Sequence, residues 1–243
     1  MGRSKRRQSA AEWPPSFESG SGQGSASFIG ESTPLHEERL DTVTRILLQS
    51  GARTILDLGC GAGSLLQRLV AEERFTRIVG LDTSIQALVQ AASSLGVTVG
   101  EGGRLSLFHQ GFDMYDPRLV DFDAATMVET IEHVRPDRLS VVERVVFGEW
   151  KPKVVVMTTP NRDYNPLLNL AEGECRQPDH FFEWGRQKFR SWIEGVAQRN
   201  GYDARCEGIG PADLLRGSPT QVAVFDLRAE PRLDGVKDVE GLT

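Results

Sequence analysis

The chain has 243 residues, 39% of them apolar, and a formal net charge of −6. The apolar share suffices for a buried core, yet no apolar run reaches the roughly 20 residues that span a bilayer, and no apolar stretch follows the basic N-terminus to serve as a secretory signal. The acidic balance speaks against a broad basic face for gripping long nucleic acid, and Cys60, Cys175 and Cys206 form neither a disulfide framework nor a zinc-binding pair, so the expected compartment is the cytoplasm.

Residues 1–30 are rich in Ser, Gly, Arg and Gln, a composition unable to bury enough apolar surface to offset chain entropy, and are expected to be a disordered tail. Residues 229–243 read as a second, flexible tail, leaving one domain over 31–228. The basic runs at Arg3–Arg7 and at Arg186, Lys188 and Arg190 suit a solvated surface. Within the domain, 35–48 has helical apolar spacing, with Pro34 suited to a first turn. TILDLG at 54–59 reads as a buried strand, 64–73 as a helix and RIVGLD at 77–82 as a second strand. A helix at 85–94, strands at 104–109 and 121–128, an amphipathic helix at 136–150 and a strand at 154–159 follow. Residues 186–199 predict a helix ended by Asn200 and Gly201, and stretches 202–209 and 220–227 close the domain as strands. Seven strands alternating with helices predict a mostly parallel seven-stranded sheet covered on both faces, with ligands at the carboxyl ends of the strands.

The first such strand end carries Asp57-Leu58-Gly59-Cys60-Gly61-Ala62-Gly63. Glycines there permit a tight turn, a close backbone approach to a ligand and exposed amides at the helix start. The second strand ends in Asp82, about where Rossmann-type sites place a carboxylate on a ribose diol. A Gly-rich turn alone serves several cofactors, or none. Two details favour S-adenosylmethionine over a dinucleotide: Asp57, two residues before Gly59, is placed to face the ligand's positively charged methionine end, and Ser64 occupies the third glycine site of the dinucleotide fingerprint. The fold expected is therefore the Rossmann-like class I S-adenosylmethionine-dependent methyltransferase.

Glu129-Thr130-Ile131-Glu132-His133 lies just past the strand ending at Val128. On a helical turn Glu129, Glu132 and His133 share one face. Two carboxylates and an imidazole at the mouth of a sheet repel one another less with a divalent cation between them. His180, in the segment after the next strand, reaches the same edge of the sheet. Taken alone, the E-x-x-E-H string suits a solvated helical face better than a metal site, and a single histidine is more often structural than a ligand. The adjoining adenosylmethionine loop reverses that choice. With no thiolate in the set, the expected ion is Mn²⁺, with Mg²⁺ as the physiological competitor.

The strings LDLGCG, ETIEHV, TTPNRDYN and DHFFEW, in that order over residues 34–227, resemble the Hua-enhancer family of small-RNA 3′-terminal 2′-O-methyltransferases, and SPTQVAVF at 218–225 is similar to its bacterial members. The resemblance implies methyl transfer to the 2′-oxygen of the terminal ribose of an RNA 3′ end. It implies one divalent ion held by Glu129, Glu132, His133 and His180, which are also the catalytic residues. Cofactor contacts fall on Asp57, Gly59, Gly61, Asp82, Gln110 and Gly111. The partners implied are an RNA-repair kinase/ligase or a small-RNA effector protein, and no membrane. Three positions depart from the family: Gly111 replaces a small hydroxyl residue, so one cofactor hydrogen bond falls to backbone or Gln110. Phe181 replaces Lys or Arg, and Gly185 replaces Thr or Ser. The long N-terminal extensions of plant and bacterial relatives have no counterpart, so substrate selection is expected elsewhere. Two other readings fit the same residues: a metal-dependent O-methyltransferase acting on a small vicinal diol, and a non-catalytic RNA-binding module of the same fold.

Overall fold

The computed structural model describes residues 33–229; the tail expected at 1–30 lies outside them, as does all but Ala229 of the tail expected at 229–243. Helix α1 (Pro34–Ser50) starts where the Thr33 side chain accepts the His36 amide and Pro34 takes the first turn, and it stops at Gly51, whose φ is +77°. Strand β1 (Thr54–Leu58) leads into α2 (Ser64–Ala71), then β2 (Arg77–Asp82), α3 (Ile85–Leu95) and β3 (Leu105–His109). After β4 (Ala124–Val128) come α4 (Leu139–Glu143), β5 (Val154–Pro160), α5 (Arg186–Asn200), β6 (Tyr202–Ile209) and β7 (Thr220–Leu227).

The strands form one sheet in the order β3-β2-β1-β4-β5-β7-β6. Strands β1 to β5 run parallel, whereas β7 lies antiparallel between β5 and β6. This is the seven-stranded, mostly parallel sheet that the alternation of elements predicts. Successive side chains of β1 point to opposite faces: Ile55 packs with Leu40, Val43 and Leu47 of α1 and with α2 and α3, while Leu56 and Leu58 pack under α5 and the segment after β4. Both faces are thus dry, as a parallel sheet requires. The strand order reverses between β1 and β4, which opens a crevice above their carboxyl ends. Among the described residues no helix is long and apolar enough to cross a membrane.

Two expected elements change form. The helix read over 136–150 is a 3₁₀ turn at Pro136–Arg138, a short α4, and a π-helical stretch over Arg144–Trp150. The widened turns bury three consecutive side chains, Val145, Val146 and Phe147, which an α-helical stripe would not. The strand read over 121–128 begins only at Ala124, because Asp121 adopts a left-handed φ of +62°. A further 3₁₀ stretch, Arg162–Leu168, has no counterpart in the apolar pattern.

Candidate active site

The crevice at the switch point holds a cavity of about 570 Å³. One wall is Gly59, Gly61, Asp82, Gln110 and Gly111; the facing wall is Glu129, Thr130 and His133. Of the expected metal set, Glu129 and His133 line the same cavity as the expected cofactor residues, whereas Glu132 and His180 are not in its lining.

The glycine loop is shaped by its own backbone. Gly59, Gly61 and Gly63 all have left-handed φ, and a Cβ on Gly59 would collide with the Thr130 side chain from the facing wall. The amides of Gly59 and Cys60 both donate to the Leu81 carbonyl, 2.8 and 2.9 Å away. Asp82 completes the link: its Oδ2 accepts the Gly61 amide and its Oδ1 the Ser84 amide, each at 2.8 Å. Each carboxylate oxygen keeps a lone pair for a ribose hydroxyl. Gly111 is pressed against Asp113, where a Cβ would come within 2.7 Å of Oδ1, and Arg138 grips that carboxylate from the other side at 2.7 Å. The Gln110 side-chain amide donates to the Met114 carbonyl, 3.3 Å away.

Asp57 is placed differently from the expectation. It is 2% exposed, takes the Thr126 hydroxyl at 2.8 Å on Oδ1, and has no hydrogen-bond partner for Oδ2. It stands beneath the loop and not in the cavity wall. Burial pushes its carboxyl up to about 7, against the opposing pull of the Thr126 hydroxyl.

On the facing wall the chain turns sharply after β4. Glu129 has a left-handed φ of +50°, held by its amide donating to the Thr158 carbonyl and hydroxyl, each at 3.1 Å. A single 3₁₀ turn, Ile131–His133, follows in place of the expected α-turn. Glu132, His133 and His180 each present a ligand-type atom, and the three atoms lie within 4.8 Å of one another. Glu132 is fully buried, receives the Thr159 hydroxyl at 3.0 Å on Oε2, and leaves Oε1 without a hydrogen-bond partner. Burial first, and the neighbouring Glu129 charge second, drive its carboxyl well above the ordinary range. A buried carboxylate with one orphaned oxygen beside two imidazoles fits a cation better than it fits an unfilled core.

Glu129, the fourth expected ligand, is not in that triplet. Its Oε1 accepts the Thr158 hydroxyl at 3.0 Å and faces Arg39 Nε at 3.2 Å. Burial raises the Glu129 carboxyl, and Arg39 is the largest force opposing it. Arg39 reaches across from α1 and also donates to the Thr220 hydroxyl at 3.1 Å. The sequence does carry a signal for it: Arg39 falls at i+4 spacing from Leu35 and before Val43 and Leu47, a charge on an apolar helical stripe.

His180 is fixed from behind. Its Nδ1 lies 2.7 Å from Glu183 Oε1, in a carboxylate that also accepts the Arg176 amide at 2.7 Å and the Asn165 side-chain amide at 2.6 Å. His133 Nδ1 lies 3.3 Å from Asp179. In both rings Nε2 remains the nitrogen without a protein partner among the described residues, the arrangement that carboxylates impose on metal-binding histidines. The Phe181 amide donates to the Glu132 carbonyl at 2.9 Å and ties the two segments together. Asn161 and Asn165 are buried, and Asn161 holds the carbonyls of Arg216 and Ser218 at 2.8 Å each. Arg186 is engaged by Asp163 at 3.1 Å and the Leu215 carbonyl at 2.6 Å. Gly185 faces Asp163 so closely that any Cβ would collide with its carboxylate, which accounts for the missing hydroxyl residue.

A family profile described as a methyltransferase domain matches residues 56–147. The methyltransferase domain of bacterial CtHen1-CN superimposes with a TM-score of 0.71 at 38% identity, covering 79% of this chain and 100% of that one. The chain belongs to the Hen1 methyltransferase family. The "Small RNA 2′-O-methyltransferase" of Rattus norvegicus is 33% identical over 202 residues, 79% of this chain, and the Hen1-family chain spans only 51% of that protein's length. It spans 22% of the Arabidopsis thaliana protein of the same name, which is 29% identical over 79% of this chain. A chain in the structure of the Pnkp1/Rnl/Hen1 RNA repair complex shares the fold at a TM-score of 0.58 and 21% identity, covering 80% of this chain and 42% of that one.

Proposed function

We propose that this Hen1-family chain methylates the 2′-hydroxyl of the 3′-terminal nucleotide of an RNA, using S-adenosylmethionine and one divalent cation. The observation that carries the reading is the shared chamber: the glycine loop and Asp82 on one wall, and the Glu132–His133–His180 cluster behind the other.

Asp82, Gly59, Gly61, Gln110 and Gly111 line the part suited to the adenosyl and methionine portions of the cofactor, with Asp82 accepting from the ribose hydroxyls. Asp57 stands below the loop, out of the cavity wall, where the cofactor's positive charge nearby would favour its ionised form. Glu132, His133 and His180 would hold the cation, Glu129 standing alongside as a fourth ligand if it exchanges Arg39 for the metal. A cation so held supplies acidity to a hydroxyl that otherwise keeps its proton at neutral pH. The protein's own contribution is position: Glu183, Thr159 and the Phe181 amide fix His180 and Glu132, and the glycine loop would hold the methyl donor for attack by the hydroxyl oxygen.

The partner class that fits is an RNA-repair kinase/ligase or a small-RNA effector acting on the same end, and three free cysteines agree with a reducing compartment such as the cytoplasm. The test is end chemistry. Oligoribonucleotides ending in a 2′,3′-diol should accept label from S-adenosylmethionine, and the same RNA with a 3′-phosphate should be a far poorer acceptor. Comparable labelling of catechol, or none of RNA, would refute the proposal.

A further inference from the structure

Beside the metal-type cluster one aromatic ring is turned out of the core. In the run His180–Trp184, the His180 side chain is 5% exposed, Phe182 stacks on Trp184 with centroids 4.3 Å apart, and Glu183 and Trp184 are buried. Phe181 is 56% exposed. Folding does not explain its apolar face. Yet it is not loosely hung, since its amide is the one bonded to the Glu132 carbonyl.

Phe181 forms part of a cavity of about 490 Å³, separate from the cofactor chamber and on its β5 side, with Arg162, Cys175, Trp184 and Lys188 in the same lining. The charges around it are unevenly engaged. Asp163 is taken by Arg186, and Glu183 by His180, Asn165 and Arg176. Arg162 and Lys188 have no carboxylate partner among the described residues, and the Lys188 ammonium lies only against the Trp184 ring, 5.7 Å from its centroid. In a chain of net charge −6, two uncommitted cations flanking an exposed ring form a local match for an anionic ligand with a flat face.

We propose that this cavity is a nucleobase subsite, in which one base at the RNA 3′ end stacks on Phe181 while Arg162 and Lys188 face the adjoining phosphates. The proposal rests on the reading of the cofactor chamber as an RNA-end methyltransferase site. A stack reads no sequence, because every base has a π face, so the subsite positions the end without restricting it.

The test uses the full chain and 3′-hydroxyl oligoribonucleotides that are intact, abasic at the last nucleotide, or abasic at the next-to-last. Phe181→Ala should weaken binding of intact RNA roughly 5- to 100-fold, with the slope of log Kd against log salt unchanged, and Phe181→Trp should restore it. One of the two abasic RNAs should bind the wild type as weakly as intact RNA binds Phe181→Ala, and that variant should be indifferent to the missing base. Arg162→Ala and Lys188→Ala should each flatten the salt slope by about 0.7 and keep the discrimination. Mn²⁺ affinity of Phe181→Ala, read separately, should equal that of the wild type. Wild-type affinity in Phe181→Ala, or a loss equal for intact and abasic RNA, overturns the subsite while wild-type methylation of intact RNA still upholds the activity. A wild type that methylates no 3′-hydroxyl RNA overturns both.

Discussion

Glu132 and Asp57 are two buried carboxyls with one unpartnered oxygen each, and they make opposite demands. Glu132 must be ionised to hold a cation, and burial resists that until the cation is present. Metal affinity is therefore expected to rise with pH, and Glu132→Gln to lower Mn²⁺ affinity at least tenfold by titration calorimetry; unchanged affinity would remove Glu132 from the site. Asp57, pushed from 3.8 to about 7, bears on stability. Below about pH 4 folded and unfolded chains both hold its proton, and its burial has no pH-dependent cost. As pH rises towards 7 the unfolded chain ionises first, so stability in the absence of ligand declines over that window. Asp57→Asn should decline less over the same range in urea denaturation, and an identical slope in both proteins would contradict burial as the cause. Gly59→Ala should cost about 1–3 kcal/mol and abolish cofactor binding, because φ of +78° and the Thr130 side chain both exclude a Cβ; a variant that keeps wild-type cofactor affinity would show that the Thr130 wall yields.

The cofactor wall was legible because its chemistry is local: glycines at fixed offsets and an acid at the end of the next strand place themselves once the strands are found. In the candidate metal wall the residues were visible in the sequence and their arrangement was not. Glu129, Glu132 and His133 suit one face of an α-turn, but the left-handed Glu129 and the 3₁₀ turn after it bring Glu132 and His133 to His180 and turn Glu129 towards Arg39. Arg39 lies 90 residues before Glu129, and no spacing rule connects them. Asn161 and Asn165 show the reverse case, since nothing in the sequence tells that these polar residues at a strand end face inwards, to a buried carboxylate and two carbonyls. The π-helical stretch over Arg144–Trp150 was hidden because its apolar pattern also satisfies an α-helix. It ends at Lys151 with φ +50°, a conformation glycine adopts without penalty. Lys151→Gly should stabilise the fold by up to about 1 kcal/mol in denaturant melts, and a loss of stability would show that the Lys151 side chain matters more than its backbone.

At the scale of the molecule, the seven-stranded sheet brings the candidate site residues to one edge, where β1 to β5 end. The net charge of −6 leaves few cations for RNA, so binding should depend on salt only weakly, with a log–log slope shallower than about −3; a steep slope would reveal a long basic path outside the chamber. The relatives named as small-RNA 2′-O-methyltransferases are longer than this chain, which spans 51% of one and 22% of another. The proposed chemistry requires a single ion held by Glu132, His133 and His180 beside the methyl donor. Methyl transfer to a 3′-hydroxyl RNA, measured in excess EDTA and again after Mn²⁺ is restored, tests it most directly. The wild type should give no product with chelator and recover with Mn²⁺, and His180→Ala should not recover; undiminished transfer in EDTA would contradict a metal-dependent site.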